Sequence, residues 1–500
     1  MLRSTIMALC GVAALLPGWP TAARAQERSL TLEEAIALAG GHNPSYQAVL
    51  NDPGQAAWRL RAAYGSLLPN ASTSLGLLYQ ASGTPVFGSF TAEDVGVGRT
   101  PEYYFSDYSL ALSYQFDGGT LFRIWQERAN RRAVDARVDA AGFTLASDVT
   151  RQYLAALRAQ AGRELAEQDL ARADENYRLA QARVEVGAAS PIDSMQAAVE
   201  RGRTEVALLR ADAGLETERL RLEEQVGRTL PDSVRLTTQL PVFEPSWTRD
   251  ALVALAVQNN PELESSRAAA ASARASARAA RASYLPNLSL SAVWSGFARE
   301  SGDPDALLSQ AQANAQSRFE SCELMNRISA GLSEPLPDRP ESCGDPLLTD
   351  AQRQRILSRN QVFPFEFADQ PLRVMLRVSL PIFQGFSRER DTQAAQATAA
   401  DAAFASRATE LRIRTEVAAA LEALSSGYRA VRIETRNREL AETQFRLAQE
   451  RYRLGAAPYL ELRQAETEVA RANQAHLDAV YGFQEALVTL ESLVGRQLRP

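Results

Sequence analysis

Two acidic side chains, Asp193 and Glu461, stand at matching places in the sequence, each just after a glycine-alanine turn. If several copies of the chain met on a symmetry axis, these carboxylates would converge. Like charges that are held together raise one another's pKa and attract cations, as rings of carboxylates do in channels. The plainer interpretation is that each acid is a first-turn residue, favoured by the dipole of the helix that it begins. Both interpretations stay open at this point.

Side chains suited to catalysis are few and scattered. The chain has two histidines, and His42 and His476 fall in different helical settings. Neither belongs to a spaced His/Cys cluster, and the sequence has no glycine-rich phosphate loop and no nucleophile elbow. Gly118-Gly119 indicates a turn. The sequence therefore predicts that the protein is not an enzyme and uses no metal and no cofactor.

Two cysteines indicate an oxidising compartment. Residues 1–25 have the basic start, the short apolar run and the A-x-A site of a secretory signal peptide, so the mature chain is expected to begin at Gln26. Cys10 lies inside that signal, which argues against a lipid-anchored start. Cys322 and Cys343 remain as an even pair in a segment rich in Pro, Ser and Asp, which favours a disulfide bond. Two unrelated thiols are the alternative.

The charge pattern excludes some classes of partner. The formal net charge is -6, and the arginines alternate with acids along helical stretches instead of forming a basic patch, so no nucleic-acid binding is expected. No stretch has the roughly 20 apolar residues that a membrane-spanning helix needs. The sequence therefore predicts no transmembrane helix.

The elements that must position these side chains occur twice. Several short motifs recur, some after 217 positions and others after 268, and self-similarity over this length indicates a tandem structural repeat. We predict a first repeat over 26–228, a linker over 229–246 and a second repeat over 247–500. The recurring motifs are Asn43-Pro44 with Asn260-Pro261, Leu68-Pro69-Asn70 with Leu285-Pro286-Asn287, Arg178-Leu179-Ala180-Gln181 with Arg446-Leu447-Ala448-Gln449, and Val226-Gly227-Arg228 with Val494-Gly495-Arg496.

Each repeat carries two strands of alternating pattern. We predict them at about 70–80 and 105–116 in the first repeat, and at about 287–297 and 371–383 in the second. Their lengths, their apolar and polar alternation and their aromatic ends are typical of strands that cross an outer membrane at a tilt. A half-buried sheet of a soluble protein is the alternative for any single strand. The extra residues of the second repeat, about 298–370, would form a long polar loop on the extracellular side.

Each strand pair leads into a very long helix. We predict long helices over about 119–187 and 386–454, because neither stretch contains a proline. At 1.5 Å per residue each would be about 100 Å long, and its thin aliphatic stripe is typical of helices packed side by side. A glycine turn follows each one, and return helices are predicted over 191–227 and 458–495.

Four strands cannot close a barrel, and an open sheet edge in lipid leaves backbone groups without partners. Three chains would supply twelve strands and a water-filled lumen, whereas two would supply eight and a narrow or filled one. Three copies are therefore favoured. Arg373 and Arg377 fall on the polar face of the fourth strand and would line the lumen, where they either favour anionic solutes or pair with neighbouring acids.

The doubled order of parts resembles the TolC family of outer membrane efflux factors. The resemblance is carried by the Asn-Pro and Leu-Pro-Asn motifs, by Phe116-Asp117-Gly118-Gly119 at the join of strand and helix, and by the Arg183/Val186-Gly187 and Arg451-Tyr452/Leu454-Gly455 turns. It covers essentially the whole mature chain.

The resemblance implies a mixed α and β membrane protein. Four transmembrane strands per chain contribute to a trimeric 12-stranded β-barrel in the outer membrane of a Gram-negative bacterium. A long α-helical coiled-coil barrel continues it into the periplasm. The partners that it implies are two further copies of the chain, a periplasmic adaptor protein, an inner-membrane pump and outer membrane lipid.

The resemblance also assigns roles at the helix tips. Adaptor docking is expected at Gly187, Ser190, Pro191, Gly455 and Pro458. The expected residues of a periplasmic gate are Asp193, Tyr452, Glu461 and Gln464. Ala457 stands where some members of the family have a basic partner, and Arg453 and Arg463 are nearby candidates to replace it. Because most of these residues lie in the second repeat, we expect an asymmetric gate to be held there.

The expected function is that of an exit channel of a tripartite export system for drugs or other small solutes. A type I protein secretion channel and a structural periplasmic coiled-coil protein are alternatives. A passive porin-like pore is less well supported, because a simple pore needs neither the long helices nor the tip turns.

Overall fold

The structure is a computed structural model that describes residues 29–91, 94, 100–231, 234–238, 241–334, 336 and 342–499. The predicted signal peptide, 1–25, lies outside the described residues. The chain forms two compact units. The helical unit contains the residues up to 58, 128–274 and those from 397 onward, and the sheet unit contains 59–127 and 275–396.

The first half of the chain contains short helices, one strand pair of substantial length and two long helices. In chain order its elements are β1 (Ser29–Leu30), α1 (Leu32–His42), α2 (Pro44–Leu50), α3 (Asp52–Gly65), β2 (Asn70–Gln80), β3 (Val86–Phe87), β4 (Phe90–Thr91), β5 (Tyr103–Phe116), α4 (Gly118–Glu185), α5 (Pro191–Val226) and β6 (Arg235–Leu236).

The second half repeats the order of the main elements and adds two helices between its strands. Its elements are α6 (Arg249–Asn259), α7 (Pro261–Arg281), β7 (Asn287–Ser301), α8 (Pro304–Ala330), α9 (Asp350–Ser358), β8 (Ala368–Asp369), β9 (Arg373–Ser379), α10 (Ser387–Arg453) and α11 (Tyr459–Val494).

The sheet unit is built on antiparallel pairing in the order β2-β5-β7-β9. The register puts Leu112 between Ala71 and Ala292, and Leu110 opposite Trp294, so that apolar side chains share one face. On the other face Ser74 lies opposite Ser109, with their hydroxyls 2.8 Å apart. Because successive side chains of a strand alternate, the sheet has one apolar face and one polar face. Much of the apolar face is exposed to solvent in the single chain.

Three of the four strands differ from their predicted bounds. β5 begins at Tyr103, two residues ahead of the predicted start. β7 continues to Ser301, four residues beyond the predicted end. The fourth strand was predicted over 371–383, but β9 covers Arg373–Ser379, and the short β8 pairs with β7 just ahead of it. Pro371 separates β8 from β9, and a proline has no N–H to donate to the ladder. The alternation of side chains continued beyond Ser379, which made the predicted strand too long at that end.

The insertion of the second half contains helices where a polar loop was predicted. α8 begins at Pro304, and its N-cap Asp303 accepts a hydrogen bond from the N–H of Ala306 at 2.9 Å. The predicted disulfide is confirmed: Cys322 in α8 is bonded to Cys343, with the two Cα atoms 5.5 Å apart. The bond holds the chain that leaves α8 close to the helix. A polar composition with many Ala and Gln residues suits an exposed helix as well as a loop.

The chain that follows α9 folds back onto the apolar face of β5. Ser106, fully buried, donates its hydroxyl to the carbonyl of Pro364 at 2.6 Å. Tyr108 donates its hydroxyl to Oδ1 of Asp369 at 2.7 Å. Glu300 Oε2 accepts hydrogen bonds from the N–H groups of Val362 and Phe363. The insertion is therefore anchored to the sheet through polar contacts.

The helical unit is organised around an asparagine that joins two helices in each half. Asn43 caps α2 by accepting a hydrogen bond from the N–H of Tyr46 at 3.1 Å, and its Nδ2 donates to the carbonyl of Gln225 in α5 at 2.8 Å. Asn260 caps α7 through the N–H of Leu263, and its Nδ2 donates to the carbonyl of Leu493 in α11, both at 2.9 Å. The repeated Asn-Pro motif is therefore a helix start that also fixes the end of a return helix.

The repeated Val-Gly-Arg motif lies at the end of each return helix, where the asparagine of the Asn-Pro motif binds. α5 ends at Gly227 and α11 at Gly495, and both glycines have φ 78° and ψ 17°. A Cβ on Gly227 would lie 2.4 Å from the carbonyl oxygen of His42, and one on Gly495 would lie 2.4 Å from that of Asn259. The left-handed backbone and the close approach both require glycine.

Two similar cores surround these contacts. In the first, α1 packs between α4 and α5, and the Tyr153 hydroxyl of α4 donates to the carbonyl of Leu30 at 2.8 Å. In the second, α6 packs with α10 and α11. Val417, Leu424 and Val431 of the predicted aliphatic stripe are buried there. The stripe of each long helix is thus buried by helices of its own half.

Replacing Gly495 by Ala is expected to destabilise the protein. The substitution forces a side chain into a left-handed backbone, at a cost of about 1–2 kcal/mol, and adds a clash with Asn259. The midpoint of thermal unfolding of the detergent-solubilised protein would measure the loss. Gly482→Ala is the control: it lies within α11 with open space around the new Cβ, and it should be neutral or stabilising by up to about 1 kcal/mol. Equal midpoints for the two variants would contradict the role given to Gly495.

Candidate functional site

Two helical hairpins of the helical unit end in turns with the same backbone. Gly187 has φ 74° and Gly455 has φ 80°. In the first turn the N–H of Ala188 donates to the carbonyl of Arg183 at 2.8 Å, and in the second the N–H of Ala456 donates to that of Arg451, also at 2.8 Å. These bonds close the ends of α4 and α10 as a left-handed glycine cap does.

An arginine joins the two turns. The guanidinium of Arg183 donates hydrogen bonds to the carbonyl of Tyr452 in α10 and, at 3.0 Å, to that of Ala188 in its own turn. It also lies over the Tyr452 ring, 4.4 Å from its centroid. Cation–π stacking and two hydrogen bonds from one side chain hold the tip of one hairpin against the other.

The repeat gives the equivalent arginine a different partner. Arg451 stands 268 positions after Arg183, four residues ahead of its own glycine. Its guanidinium forms an ion pair with Glu461 across the second turn. Arg453 and Arg463 were the expected basic partners, but the guanidinium of Arg453 lies 3.9 Å from the carboxylate of Glu450 instead. One arginine thus joins the two hairpins while the other stays within its own.

Next to the turns, four helices share one apolar core, which we call the tip core. Tyr452 and Tyr459 are each 1% exposed, and their rings meet edge to face with centroids 5.7 Å apart. Aromatic pairs of this geometry add to the stabilisation from burial. The core is formed by Ala180 of α4, Ala197 of α5, Phe445, Ala448 and Tyr452 of α10, and Tyr459, Leu462, Ala465 and Val469 of α11.

Asp193 acts on Tyr452 through its charge, and the Tyr452 hydroxyl makes no hydrogen bond to it. The Tyr452 hydroxyl is buried and has no hydrogen-bond partner among the described residues. Burial first, and the negative charge of Asp193 second, raise the pKa of Tyr452, while Arg183 opposes the rise. Asp193 is half-buried in the first turn of α5. The two predicted gate residues are therefore neighbours within one chain.

The other predicted site residues at the tips are accessible. Gln464 is exposed on α11, and so are the predicted docking residues Gly187, Ser190, Pro191, Gly455 and Pro458. Val186 and Leu454, directly before the two glycines, are 78% and 79% exposed. Ala457 is buried, so no side chain there reaches across to an acid. The tips present apolar groups to solvent.

A buried polar cluster that the sequence did not predict lies along the helices beyond the turns. Glu466 of α11 is 9% exposed, and its Oε2 has no hydrogen-bond partner among the described residues. Around it are Asn176 and Arg172 of α4 and Glu200 of α5. Burial raises the pKa of Glu466, Glu200 adds to the rise, and Asn176 and Arg172 oppose it. The sequence shows that a carboxylate stands in an apolar helical stripe, but it does not show which residues surround that carboxylate.

The predicted lumenal arginines belong to the sheet unit. Arg373 and Arg377 of β9 are both exposed, and the register puts Arg377 opposite Ser289 of β7. They share the polar face with the serine rows. The histidines lie elsewhere: Nδ1 of His42 is 3.0 Å from the carbonyl of Leu38, and His476 lies beside Thr435.

Neither a metal centre nor a membrane-spanning helix is found in the described parts of the chain. No group of three or more His, Cys, Asp or Glu side chains is placed there to hold a metal ion. Within the same residues, every helix is too short or too polar to span a bilayer.

Replacing Glu466 by Gln is expected to stabilise the tip core at neutral pH. A carboxylate with a raised pKa favours the packed state when it is protonated, so this stability is present at low pH and is lost as pH rises through the folded-state pKa. Glutamine removes the charge at every pH, and the gain near pH 7 should be about 1–3 kcal/mol. Thermal unfolding of the two proteins at several pH values would measure it.

The gain should shrink as pH falls toward 4, where the wild-type carboxyl is protonated. Glu468→Gln is the matched control, because Glu468 is exposed on the same helix and pairs with Arg471 at 2.9 Å. A gain that is the same at every pH, or one shared by the control, would show that the Glu466 charge is not its cause.

Comparison with known proteins agrees with this architecture. The profile of the outer membrane efflux protein family matches residues 55–228 and 347–496. No curated protein sequence matches the chain significantly. Among solved structures, CusC is 18% identical, with 93% of this chain and 92% of that one covered and a TM-score of 0.67.

Two further structures show the same fold. The CmeC outer membrane channel of Campylobacter jejuni is 16% identical, with 94% of this chain and 87% of that one covered and a TM-score of 0.67. The open state of the MtrE outer membrane channel of Neisseria gonorrhoeae is 18% identical, with coverages of 94% and 89% and a TM-score of 0.66. The chain belongs to the outer membrane efflux protein family, a family of channel proteins, and the predictions of TolC-like relatives, of an efflux channel and of an outer membrane location are confirmed.

Proposed function

We propose that three copies of the chain form the outer membrane exit channel of a tripartite export system, which passes drugs or other small solutes to the exterior. An inner-membrane pump and a periplasmic adaptor protein would deliver the solute. The observation that carries this proposal is the sheet with one apolar and one polar face, because such a sheet can separate lipid from an aqueous lumen. The family match and the fold of the solved channels support it.

The number of copies follows from the edges of the sheet. β2 and β9 form its two ends, with the pairing order β2-β5-β7-β9 between them. Backbone groups at an edge must be paired if the strand lies in lipid, and four strands are too few to close on themselves. Twelve strands from three chains give an even number and a lumen wide enough for water. Arg373 and Arg377 of the three chains would then line that lumen with six arginines.

The hairpin tips supply the contact with the adaptor in this proposal. Exposed Val186 and Leu454 stand beside glycines that keep the turns narrow, so a helical hairpin of a partner can approach the backbone closely. Both turns have the same shape. Three chains would therefore present six similar docking positions.

The tip core supplies the gate. Arg183 holds the first hairpin on the second through the Tyr452 carbonyl, and Asp193 lies close to Tyr452. Glu461 is kept in place by Arg451, and Gln464 is exposed beside it. In this proposal the second half contributes Tyr452, Glu461 and Gln464, and an asymmetric gate would be held there. In a ring these side chains would meet their equivalents from the other copies.

Replacing Gly187 or Gly455 by Leu is expected to abolish export while leaving trimers intact. A Cβ on Gly187 meets no atom within 4 Å, so the fold can tolerate the new side chain apart from the strain of a positive φ. The bulk would instead block docking. Drug susceptibility of cells carrying each variant, with trimers assayed on gels, would measure both effects. Gly482→Leu, also in open space but far along α11, is the control. Unchanged export with either tip variant would remove the docking role.

Replacing Arg183 by Ala is expected to open the gate. The change removes the charge-assisted hydrogen bond to the Tyr452 carbonyl, which alone joins the two hairpins and is worth about 1.5–3 kcal/mol, and so shifts the closed state toward the open state by about tenfold or more. Single-channel conductance in planar bilayers should rise, and cells should admit large antibiotics that the outer membrane excludes. Arg178→Ala is the control, since Arg178 is exposed one turn away on the same helix. Conductance equal to that of wild type would mean that Arg183 holds the fold but not the gate.

A further inference from the structure

The end of the sheet that lies away from the long helices carries a short aromatic segment. Residues 362–367, which we call the strap, follow α9 and cross the apolar face of β5. The ring of Phe363 lies 5.4 Å from that of Tyr104, and the ring of Phe367 lies 4.9 Å from that of Tyr108, measured between centroids. The strap thus adds a layer to the apolar face at this end of the sheet.

The outer surface of the strap is also apolar. Phe365 stands between the two rings that pack on β5, and it is 67% exposed. In the proposed channel the apolar face of the sheet is in contact with lipid, so the exposed ring of Phe365 would enter the lipid as well. The inference drawn below therefore rests on the proposed function, and in particular on its membrane-crossing strands.

The strap begins at the level where the hydrocarbon of the membrane would end. On the apolar face of β7 the side chains are uncharged from Leu288 to Ala298, and Glu300 is the first charged one. That uncharged span matches the length that a tilted strand needs to cross the hydrocarbon core, about 9–11 residues. Glu300 accepts hydrogen bonds from the N–H groups of Val362 and Phe363. The start of the strap therefore lies at the level of the lipid headgroups.

The helix ahead of the strap is held at the same level. Where the chain enters α9, Gln312 of α8 donates a hydrogen bond to the carbonyl of Pro346 at 2.7 Å. Where the chain leaves α9, the side-chain amide of Asn360 exchanges two hydrogen bonds with the backbone of Ser301, the last residue of β7. α9 therefore runs back toward the sheet, and its last turn lies beside the end of the strand.

That last turn carries two arginines side by side. Arg355 and Arg359 are four residues apart and exposed, and neither forms an ion pair within the described parts of the chain. No Asp or Glu stands three or four positions from either one. On α10, in contrast, Arg412 pairs with Glu416 four positions on, at 2.9 Å. Like charges at this spacing on a helix repel each other, and an anion that binds both would relieve the repulsion.

We propose that the strap and the last turn of α9 together bind lipopolysaccharide, the phosphorylated glycolipid of the outer leaflet. Arg355 and Arg359 would bind its phosphates, and Phe365 would lie among its acyl chains. Charge complementarity favours this occupant, because guanidinium groups match phosphate in charge and geometry. A lipid also presents phosphate directly beside hydrocarbon, as the arginines and the ring require. Glu366, the one acid of the strap, opposes the attraction, so binding depends on both arginines and the ring.

The test uses the full-length protein, purified from outer membranes in a mild detergent, with purified lipopolysaccharide as the probe. Native mass spectrometry of a titration would give the dissociation constant. Arg355→Gln combined with Arg359→Gln should weaken binding about 25-fold, because each arginine near an anionic lipid contributes about fivefold. Phe365→Ala should weaken it about tenfold through the lost apolar contact. Detergent-resistant trimers would show that each variant assembles.

The matched controls change the same kinds of side chain elsewhere in the insertion. Arg318→Gln combined with Arg327→Gln removes two exposed arginines beyond Gln312, on the part of α8 that leads away from the sheet. Leu347→Ala removes an apolar side chain that is 63% exposed. Both controls should bind lipopolysaccharide as tightly as the wild type does. An equal loss in the controls would mean that the insertion has no defined lipid site.

Two measurements on the wild-type protein need no variant and separate the lipid from a free anion. Inorganic phosphate in large excess should leave lipopolysaccharide bound, and displacement would assign the arginines to a soluble anion instead. Lipopolysaccharide stripped of its phosphates should bind as weakly as intact lipopolysaccharide binds to the arginine variant. Undiminished binding of the stripped lipid would overturn the role of the arginines.

The arginine variant also separates this inference from the proposed function. It should lose lipid affinity and still form trimers and export. Lipid affinity equal to that of the wild type would disprove the site while leaving the channel assignment standing. Export itself is tested by whether the wild-type gene restores drug resistance to a deletion strain, and failure there would disprove the channel without altering the measured lipid affinity.

Discussion

A long helix can be stable only if neighbours cover its apolar stripe along its whole length, and this chain contains one of 68 residues and one of 67. The other helices of the helical unit provide this cover. α1 and α6 cover α4 and α10 far from the tips, where Asn43 and Asn260 fix the ends of the return helices. Near the tips the two hairpins cover each other in one four-helix core. The long helices thus set the internal packing of the helical unit.

The two halves follow one plan but use equivalent residues differently, and the difference concentrates at the tips. Both turns close through the same backbone bonds, so the repeat keeps the geometry. Arg183 and Arg451 occupy the same place in that geometry, yet the first bonds to the other hairpin and the second to Glu461. The position of Tyr452 is taken by Val184 in the first half. The chain therefore has two kinds of tip, and only the second half brings an aromatic hydroxyl, that of Tyr452, and an acid, Glu466, to the core.

Features set by local chemistry could be predicted from the sequence. Glycines that need a positive φ, prolines at helix starts, alternating strands and the cysteine pair all act over a few residues. Contacts between distant elements were harder to predict. α8 was missed because a polar, Ala-rich and Gln-rich segment suits a helix or a loop. The partner of Arg183 and the surroundings of Glu466 depend on which helices lie side by side. The motif Asn-Pro could be recognised as a repeat, but its bond to the return helix required the structure.

The contacts between the two hairpins of one chain bear on how such a channel can open. The tip core lies within one chain. The two hairpins keep their shared apolar contacts if they move together, and they lose the Arg183 contact if they separate. Glu466 lies inside this core with no hydrogen-bond partner for one oxygen among the described residues, so its charged form weakens the packing. A costly group inside the core lowers the stability of the packed tips. Such a balance suits an opening driven by the binding energy of a partner that docks at the turns, since a ligand can shift an equilibrium only by its difference in affinity for the two states.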